Sequence, residues 1–262
     1  MQRILRAMGK IAIAIDGPAG SGKSTTAREV ARRLNYVYVD TGAMYRAIAL
    51  KTVEKKVNVA DVDAVVELAR NTAVRLLPHP DRTHIEVDGA DRSSDIRTPE
   101  VTARVSAVAT LPGVRTILVE KQRAMADEGG IVMDGRDIGT VVLPQAQLKV
   151  FMVADNRERA RRRVLEYKQQ GKDVPLDEVL AEITARDKAD SERETSPLKK
   201  ADDAVELDTT GLTLDAQFDL VEKLAREKIS SMDDATKTAK TPKTPREGRE
   251  ERDQASKRKK TE

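Results

Sequence analysis

Nine consecutive residues, Gly17-Pro18-Ala19-Gly20-Ser21-Gly22-Lys23-Ser24-Thr25, hold the most specific chemistry in the chain. Their spacing is G-x-x-x-x-G-K-[ST], the phosphate-binding P-loop pattern. Glycines let backbone N–H groups turn inward as a concave nest for anions. The N-terminus of the helix that follows adds a partial positive charge. Lys23 adds a full one, aimed at the β- and γ-phosphates of a nucleotide, and the Ser24 hydroxyl is placed to ligate Mg2+.

Four other stretches carry charged groups suited to an anionic ligand. Asp40-Thr41-Gly42-Ala43-Met44-Tyr45-Arg46 opens a helix that Thr41 is placed to cap through its hydroxyl. Arg46 then lies about one turn in, either facing ligand or as a solvated surface arginine. Asp134-Gly135-Arg136-Asp137 follows the apolar Ile131-Val132-Met133, the general form of a Walker B carboxylate. Arg157-Glu158-Arg159-Ala160-Arg161-Arg162-Arg163 packs five arginines into seven residues. That density suits a solvated or RNA-binding helix, or a lid that closes over phosphates. Arg186, Asp190 and Arg193 are spaced i, i+4, i+7 and so share one helical face. They form either a surface ion-pair ladder, worth ~0.3–0.5 kcal/mol per pair, or two donors and an acceptor pointing into a cleft.

These groups need a scaffold, and the hydrophobic pattern supplies one. Ile11-Ala12-Ile13-Ala14-Ile15 reads as a buried parallel strand, and Thr25 to Leu34 as a helix with Val30, Ala31 and Leu34 on one face. Tyr36 to Asp40 is a second strand, and strand ends of this kind are where open α/β sheets place ligand contacts. Residues 61–98 break the alternation. A short helix over 64–70 precedes two alternating runs, 73–77 and 84–88, around the turn-rich Pro78-His79-Pro80-Asp81-Arg82, which reads as a small antiparallel insertion. His79 and His84 fall there as surface hairpin residues. Residues 99–127 are helical with a break at Pro112-Gly113. Further strands are expected over 131–133, 148–153 and 204–208, and helices up to the Gln169-Gln170-Gly171 stop, from Leu176 to Glu192, and from Leu212 to Ile229. From Ser231 onward Thr, Lys, Pro, Arg and Glu dominate, the composition of a disordered tail.

Composition removes several classes of function. The 262 residues are 39% hydrophobic and 35% charged, enough for one or two domains with a substantial core and a heavily charged surface. Aromatics are 2% with no Trp, which argues against a stacking platform for single-stranded nucleic acid. Without Cys there is no disulfide, thiol nucleophile or Cys-based zinc site, and with only two His a Ser-His-Asp triad or a multi-His metal site is not expected. No run approaches the ~18 apolar residues of a membrane helix. The basic N-terminus leads into a short apolar run with no small-residue cleavage site, so a cytoplasmic protein is expected. Residues 231–262 hold ten Lys/Arg against seven Asp/Glu, so the net charge of +3 lies in the tail and the remainder is neutral. Nucleic-acid contact is therefore not expected of the folded part, and only weakly of the tail.

Taken in order, these motifs resemble those of the bacterial cytidylate kinases, nucleoside-monophosphate kinases of the P-loop class. The resemblance is carried by residues 13–25, by Asp40-Thr41-Gly42-Ala43-Met44-Tyr45-Arg46, by Ile96-Arg97-Thr98, by Asp134-Gly135-Arg136-Asp137-Ile138-Gly139-Thr140, and by Arg186-Asp187 with Asp190 and Arg193. It spans about Lys10 to Lys228 and leaves out the tail. It implies an α/β fold: a parallel five-stranded core sheet flanked by helices, a small antiparallel-sheet insertion that binds the monophosphate, and a helical Arg-rich lid. One domain over 1–230 is implied, with the insertion at about 61–100 and the lid at about 156–175, followed by the tail over 231–262. The implied reaction transfers the γ-phosphoryl group of ATP to CMP or dCMP, with Mg2+, by a cytoplasmic monomer. Gly17, Pro18, Ala19, Gly20, Ser21, Gly22, Lys23, Ser24 and Thr25 would hold ATP, with Ser24 toward the metal. Thr41, Arg46, Arg136 and Arg193 would hold the CMP phosphate, Ser106, Arg115 and Asp137 would read cytosine, and Arg186 and Asp190 would meet the ribose. Lys23 and Arg136 would act with the lid arginines Arg159, Arg162 and Arg163 on the transferred group. Rival readings are a kinase of the same fold acting on UMP, AMP or shikimate, and a regulatory nucleotide-binding protein. A GTPase should carry N-K-x-D, whereas the nearest match, Asp187-Lys188-Ala189-Asp190, lacks the Asn.

Overall fold

The apolar runs become the middle of a sheet. In the computed structural model, which describes residues 10–77, 84–127, 129–169 and 171–240, β1 (Ala12–Asp16) lies between β6 (Ile131–Gly135) and β7 (Leu148–Val153). With β2 (Val37–Asp40) and β8 (Val205–Asp208) at the edges, the order is β2-β6-β1-β7-β8 and every pairing is parallel. Side chains alternate across the sheet. Ile13 and Ile15 pack with Val30 and Ala31 of α1 (Lys23–Leu34) and with Val221 and Ala225 of α8 (Leu214–Lys240). Ala14, Val39 and Met133 face the other way, toward Val119 of α5 (Pro112–Ala126). Each such fully buried aliphatic contributes about 1.5–3 kcal/mol over its exposed state.

The insertion expected from the break in alternation is present. α2 (Thr41–Glu54) leads to α3 (Val62–Asn71), then to an antiparallel sheet of β3 (Val74–Leu77), β4 (His84–Val87) and β5 (Ala90–Asp91), and on to α4 (Pro99–Thr110). Met44, Ile48, Val65, Ile85, Val101 and Leu118 give this part a core of its own. The turn bearing His79 lies outside the described residues; His84, on β4, stands 3.3 Å from Asp91. A fourth, smaller cluster, Ala160, Val179 and Ile183, joins α6 (Asn156–Gln169) to α7 (Leu176–Glu192).

Local chemistry sets the helix starts, in one case not as expected. Thr98 caps α4 ahead of Pro99, and Asp61 caps α3 by accepting the Ala64 N–H at 3.1 Å. The cap of α2 is Asp40, which accepts the Ala43 N–H at 3.0 Å, and not Thr41, whose hydroxyl donates to the Asp134 carbonyl at 2.7 Å. Arg193 sits just past the end of α7 in extended backbone, not on the helical face shared by Arg186 and Asp190. The last helix runs to Lys240 rather than stopping at Ile229, so residues 231–240 of the expected tail are helical, while 241–262 lie outside the described residues. Among the described residues no helix is long and apolar enough to cross a membrane.

Candidate active site

The P-loop leaves the carboxyl end of β1 and wraps the start of α1. Gly17 is needed where it passes strand β7, because a Cβ there would stand 2.1 Å from the Met152 carbonyl oxygen. Gly22 has φ 88°, a left-handed conformation that opens the helix at little cost only for glycine. The Lys23 ammonium donates back to the Pro18 carbonyl at 3.1 Å, and the Ser24 hydroxyl donates to Asp134 Oδ2 at 2.7 Å. Asp134 Oδ1 accepts the Tyr38 hydroxyl at 2.8 Å. Burial, with Asp40 nearby, raises the Asp134 carboxyl above the usual range, while Lys23 and the two hydroxyls oppose the shift. Burial, then Arg136, brings the Lys23 ammonium down to about 7.

A proton should therefore move on nucleotide binding. Lys23 is depressed in the free protein by burial and by Arg136, and triphosphate beside it should raise its basicity back toward the ordinary value. ATP binding should take up a proton, read as a dependence of calorimetric enthalpy on the buffer's ionisation enthalpy. Lys23→Met should abolish that dependence; its persistence would assign the proton to another group.

A cleft of about 380 Å³ runs from the P-loop to α5. Lys23, Arg46, Arg97, Arg136, Arg163, Arg186 and Arg193 all line it. Burial, then Arg186 and Arg97, pushes Arg46 down to about 10, and burial also lowers Arg186 and Arg193. Such crowding of cations favours an incoming polyanion. Part of it is neutralised internally. Arg136 Nε donates to Asp190 Oδ2 at 2.7 Å, and although burial works to raise Asp190, Arg136 and its neighbours hold it below the usual carboxylate range. Arg46 donates to the Thr102 hydroxyl at 2.9 Å. At the far end Arg115 donates to Asp137, both being nearly inaccessible at 3% and 5% exposure, and Arg193 Nη2 stands 3.7 Å from the other Asp137 oxygen. The Arg115 guanidinium lies 5.5 Å from the Tyr45 ring centre. Arg186 Nε and Arg193 Nη2 are buried donors with no hydrogen-bond acceptor among the described residues, the condition of groups that a ligand satisfies.

The family model for cytidylate kinase matches residues 13–227. The chain belongs to the cytidylate kinase family. A cytidylate kinase of Desulforamulus reducens is 53% identical over 203 residues, 78% of this chain and 91% of that protein. One from Bacillus thuringiensis is 52% identical over 206 residues, 79% of this chain and 92% of that protein.

For this member of the cytidylate kinase family, the cleft gathers Thr41, Arg46, Ser106, Arg115, Arg136, Asp137, Arg186, Asp190 and Arg193 in its lining. The same lining holds Ala19, Gly20, Gly22, Lys23, Ser24 and Thr25; Gly17, Pro18 and Ser21 are not part of it, and the Ser21 hydroxyl donates to the Pro18 carbonyl at 3.0 Å. The three lid arginines are not equivalent. Arg163 faces the cleft and pairs with Glu166 at 2.8 Å. Arg159 is 2% exposed and bonds the Ala19 carbonyl at 2.8 Å and Asp187 at 2.5 Å, so it fastens α6 to the P-loop and to α7. Arg162 is engaged by Glu158 and by the Thr209 carbonyl, the latter at 2.6 Å. Neither is among the residues that line the cleft here, although both adjoin the P-loop: a Cβ on Gly22 would stand 3.9 Å from Arg162 Nη1, and one on Gly20 3.2 Å from Arg159 Cβ. Sequence reasoning also passes over Tyr38, Tyr45, Arg97 and Asp187. Arg97 and Asp187 stand inside quoted motifs. Tyr38 lies two residues before Asp40, where strand alternation gives both one face.

Proposed function

We propose that the chain transfers the γ-phosphoryl group of ATP to CMP or dCMP. The observation that carries this reading is a single cleft with a P-loop at one end and, at the other, Ser106 beside the buried Arg115–Asp137 pair. Cytosine offers an N4–H donor together with O2 and N3 acceptors. A carboxylate or hydroxyl suits the first, and a guanidinium suits the others. Uracil presents an acceptor where Asp137 would need a donor. The monophosphate then falls among Thr41, Arg46, Arg136 and Arg193, and the ribose diol meets Arg186 and Asp190.

The acceptor is already an anion, so no general base is needed. Bringing it to ATP sets two polyanions together, and catalysis is positioning with charge neutralisation. Lys23, held by the P-loop turn, meets the β- and γ-phosphates. Arg136 releases Asp190 to the ribose and turns to the group in flight. Arg163, on α6, closes from above and helps exclude water. Ser24 and Asp134 fit a magnesium ion: a hydroxyl and a buried carboxylate 2.7 Å apart, the latter poorly neutralised. When bound with ATP, such an ion would neutralise phosphate charge beside Ser24 and Asp134. The working unit is a cytoplasmic monomer over 1–230, in which the insertion at about 61–100 brings Arg97 to the acceptor side of the cleft and the lid lies at about 156–175.

An ADP-release assay with ATP and Mg2+, comparing CMP, dCMP, UMP, AMP and shikimate, tests the reading. Marked preference for CMP and dCMP is expected. Preference for another acceptor would discard the base-reading roles of Ser106, Arg115 and Asp137, and no acceptor-dependent release at all would discard the kinase reading.

A further inference from the structure

Asp16 is the last residue of β1 and the one before the P-loop begins, yet its side chain does not face nucleotide. It is buried, and its two carboxylate oxygens accept the backbone N–H of Ile138 at 2.8 Å and of Gly139 at 2.7 Å. Those are the first amides of a π-type turn over Ile138–Val142 that has no side-chain cap of its own. Asp16 supplies the cap from a neighbouring strand.

The same residue also fixes the chain just upstream. In the β1–β6 ladder Asp16 is in register with Gly135. The main chain is thus held at Gly135 by the ladder and at Ile138–Gly139 by the carboxylate, and Arg136 and Asp137 span the short stretch between these anchors. Ile138 is itself buried among Ala14, Val39 and Met133, and Gly139 passes so close that a Cβ there would stand 3.4 Å from Asp16 Oδ2 and 3.1 Å from Lys149 Cδ. With both ends anchored, the directions in which Arg136 and Asp137 leave the backbone follow from where Asp16 sits.

We infer that Asp16 is a positioning residue: through these two amides it sets the turn bearing Arg136 and Asp137 in register with the phosphate loop that begins at Gly17. This rests on the kinase reading above. It gives the acceptor side and the ATP side of the cleft one shared reference point, the end of β1. Burial, opposed by the two amides, holds the Asp16 carboxyl at about 6; Asp137 raises it, Arg136 lowers it, and the Lys149 stem packs alongside.

The test is D16N, which keeps size but sets an amide N–H against a backbone N–H. Expected is a fall in kcat/KM for CMP on the order of 10–100-fold, the scale of a small misplacement of reacting groups, with the KM for ATP within about twofold and CMP-over-UMP preference reduced. A merely structural role would lower the melting temperature and leave that split unmoved. Unchanged CMP kinetics in a folded D16N, or equal losses for both substrates, would overturn the inference. A second measurement needs only the wild-type chain. The amide proton shifts of Ile138 and Gly139 should titrate together with one midpoint near 6, and different midpoints for the two amides would overturn it even if D16N fails to fold. A wild-type enzyme indifferent to CMP would instead sink the kinase reading, because the amide titration does not depend on turnover.

Discussion

Lys23→Ala should lower kcat for CMP phosphorylation on the order of 10³-fold, the scale on which pre-placed cations act on phosphoryl transfer. Its melting temperature should stay level or rise slightly. The asymmetry follows from the free protein, where the ammonium is desolvated, is repelled by Arg136 and Arg186, and holds one loop carbonyl at 3.1 Å. It therefore gives the fold little. Once triphosphate is bound, the same position faces the charge that develops in transfer. Kinetics beside circular-dichroism melts would separate the two. Turnover close to wild type would remove Lys23 from the chemistry, and a large drop in melting temperature would make it structural.

The Arg115–Asp137 pair should show the other large effect, this time on stability and specificity together. Removing one partner of an ion pair this deeply buried leaves a charge without compensation, at about 3–5 kcal/mol. Arg115→Met should thus unfold at markedly lower denaturant and lose CMP selectivity. In the double variant Arg115→Met/Asp137→Leu, part of the stability should return, since no buried carboxylate is stranded, while CMP use should not. Arg193, 3.7 Å from Asp137, keeps the recovery incomplete. Urea midpoints and kcat/KM for CMP across the four proteins form the cycle. Additive stability changes would mean that the two charges act independently.

Much of the fold and of the cleft is legible in the sequence, for reasons that differ from residue to residue. The P-loop, the strand ending in Asp134 and the caps at Asp61 and Thr98 are local patterns, fixed by residues within a few positions of each other. The cleft residues Arg46, Arg136 and Asp190 stand out because they lie in motifs whose chemistry is explicit. The lid arginines cannot be ranked that way. Consecutive helical residues point about 100° apart, and which of Arg159, Arg162 and Arg163 meets the cleft depends on how α6 packs against the P-loop and α7. Tyr38 meets Asp134 only because β2 and β6 are neighbours, which strand order decides. The polarity of residues 231–240 reads as tail. Ala235, Lys237 and Ala239 are nonetheless good helix formers, and a helix already anchored at Val221 and Ala225 extends without the cost of a new nucleus.

The central place of β1 also bears on how the protein is made. Its neighbours in the sheet come late in the chain, with Ile131 beside Ala12 and Leu148 beside Ile13. As the chain leaves the ribosome, N-terminal end first, the phosphate loop appears long before anything can hold it. During that interval Ile13 and Ile15 are exposed apolar surface of the kind chaperones bind, and ATP has no formed site to stabilise. The loop is clasped on both sides only once β6 and β7 are both available, so the ATP side of the cleft depends on chain more than a hundred residues downstream of it.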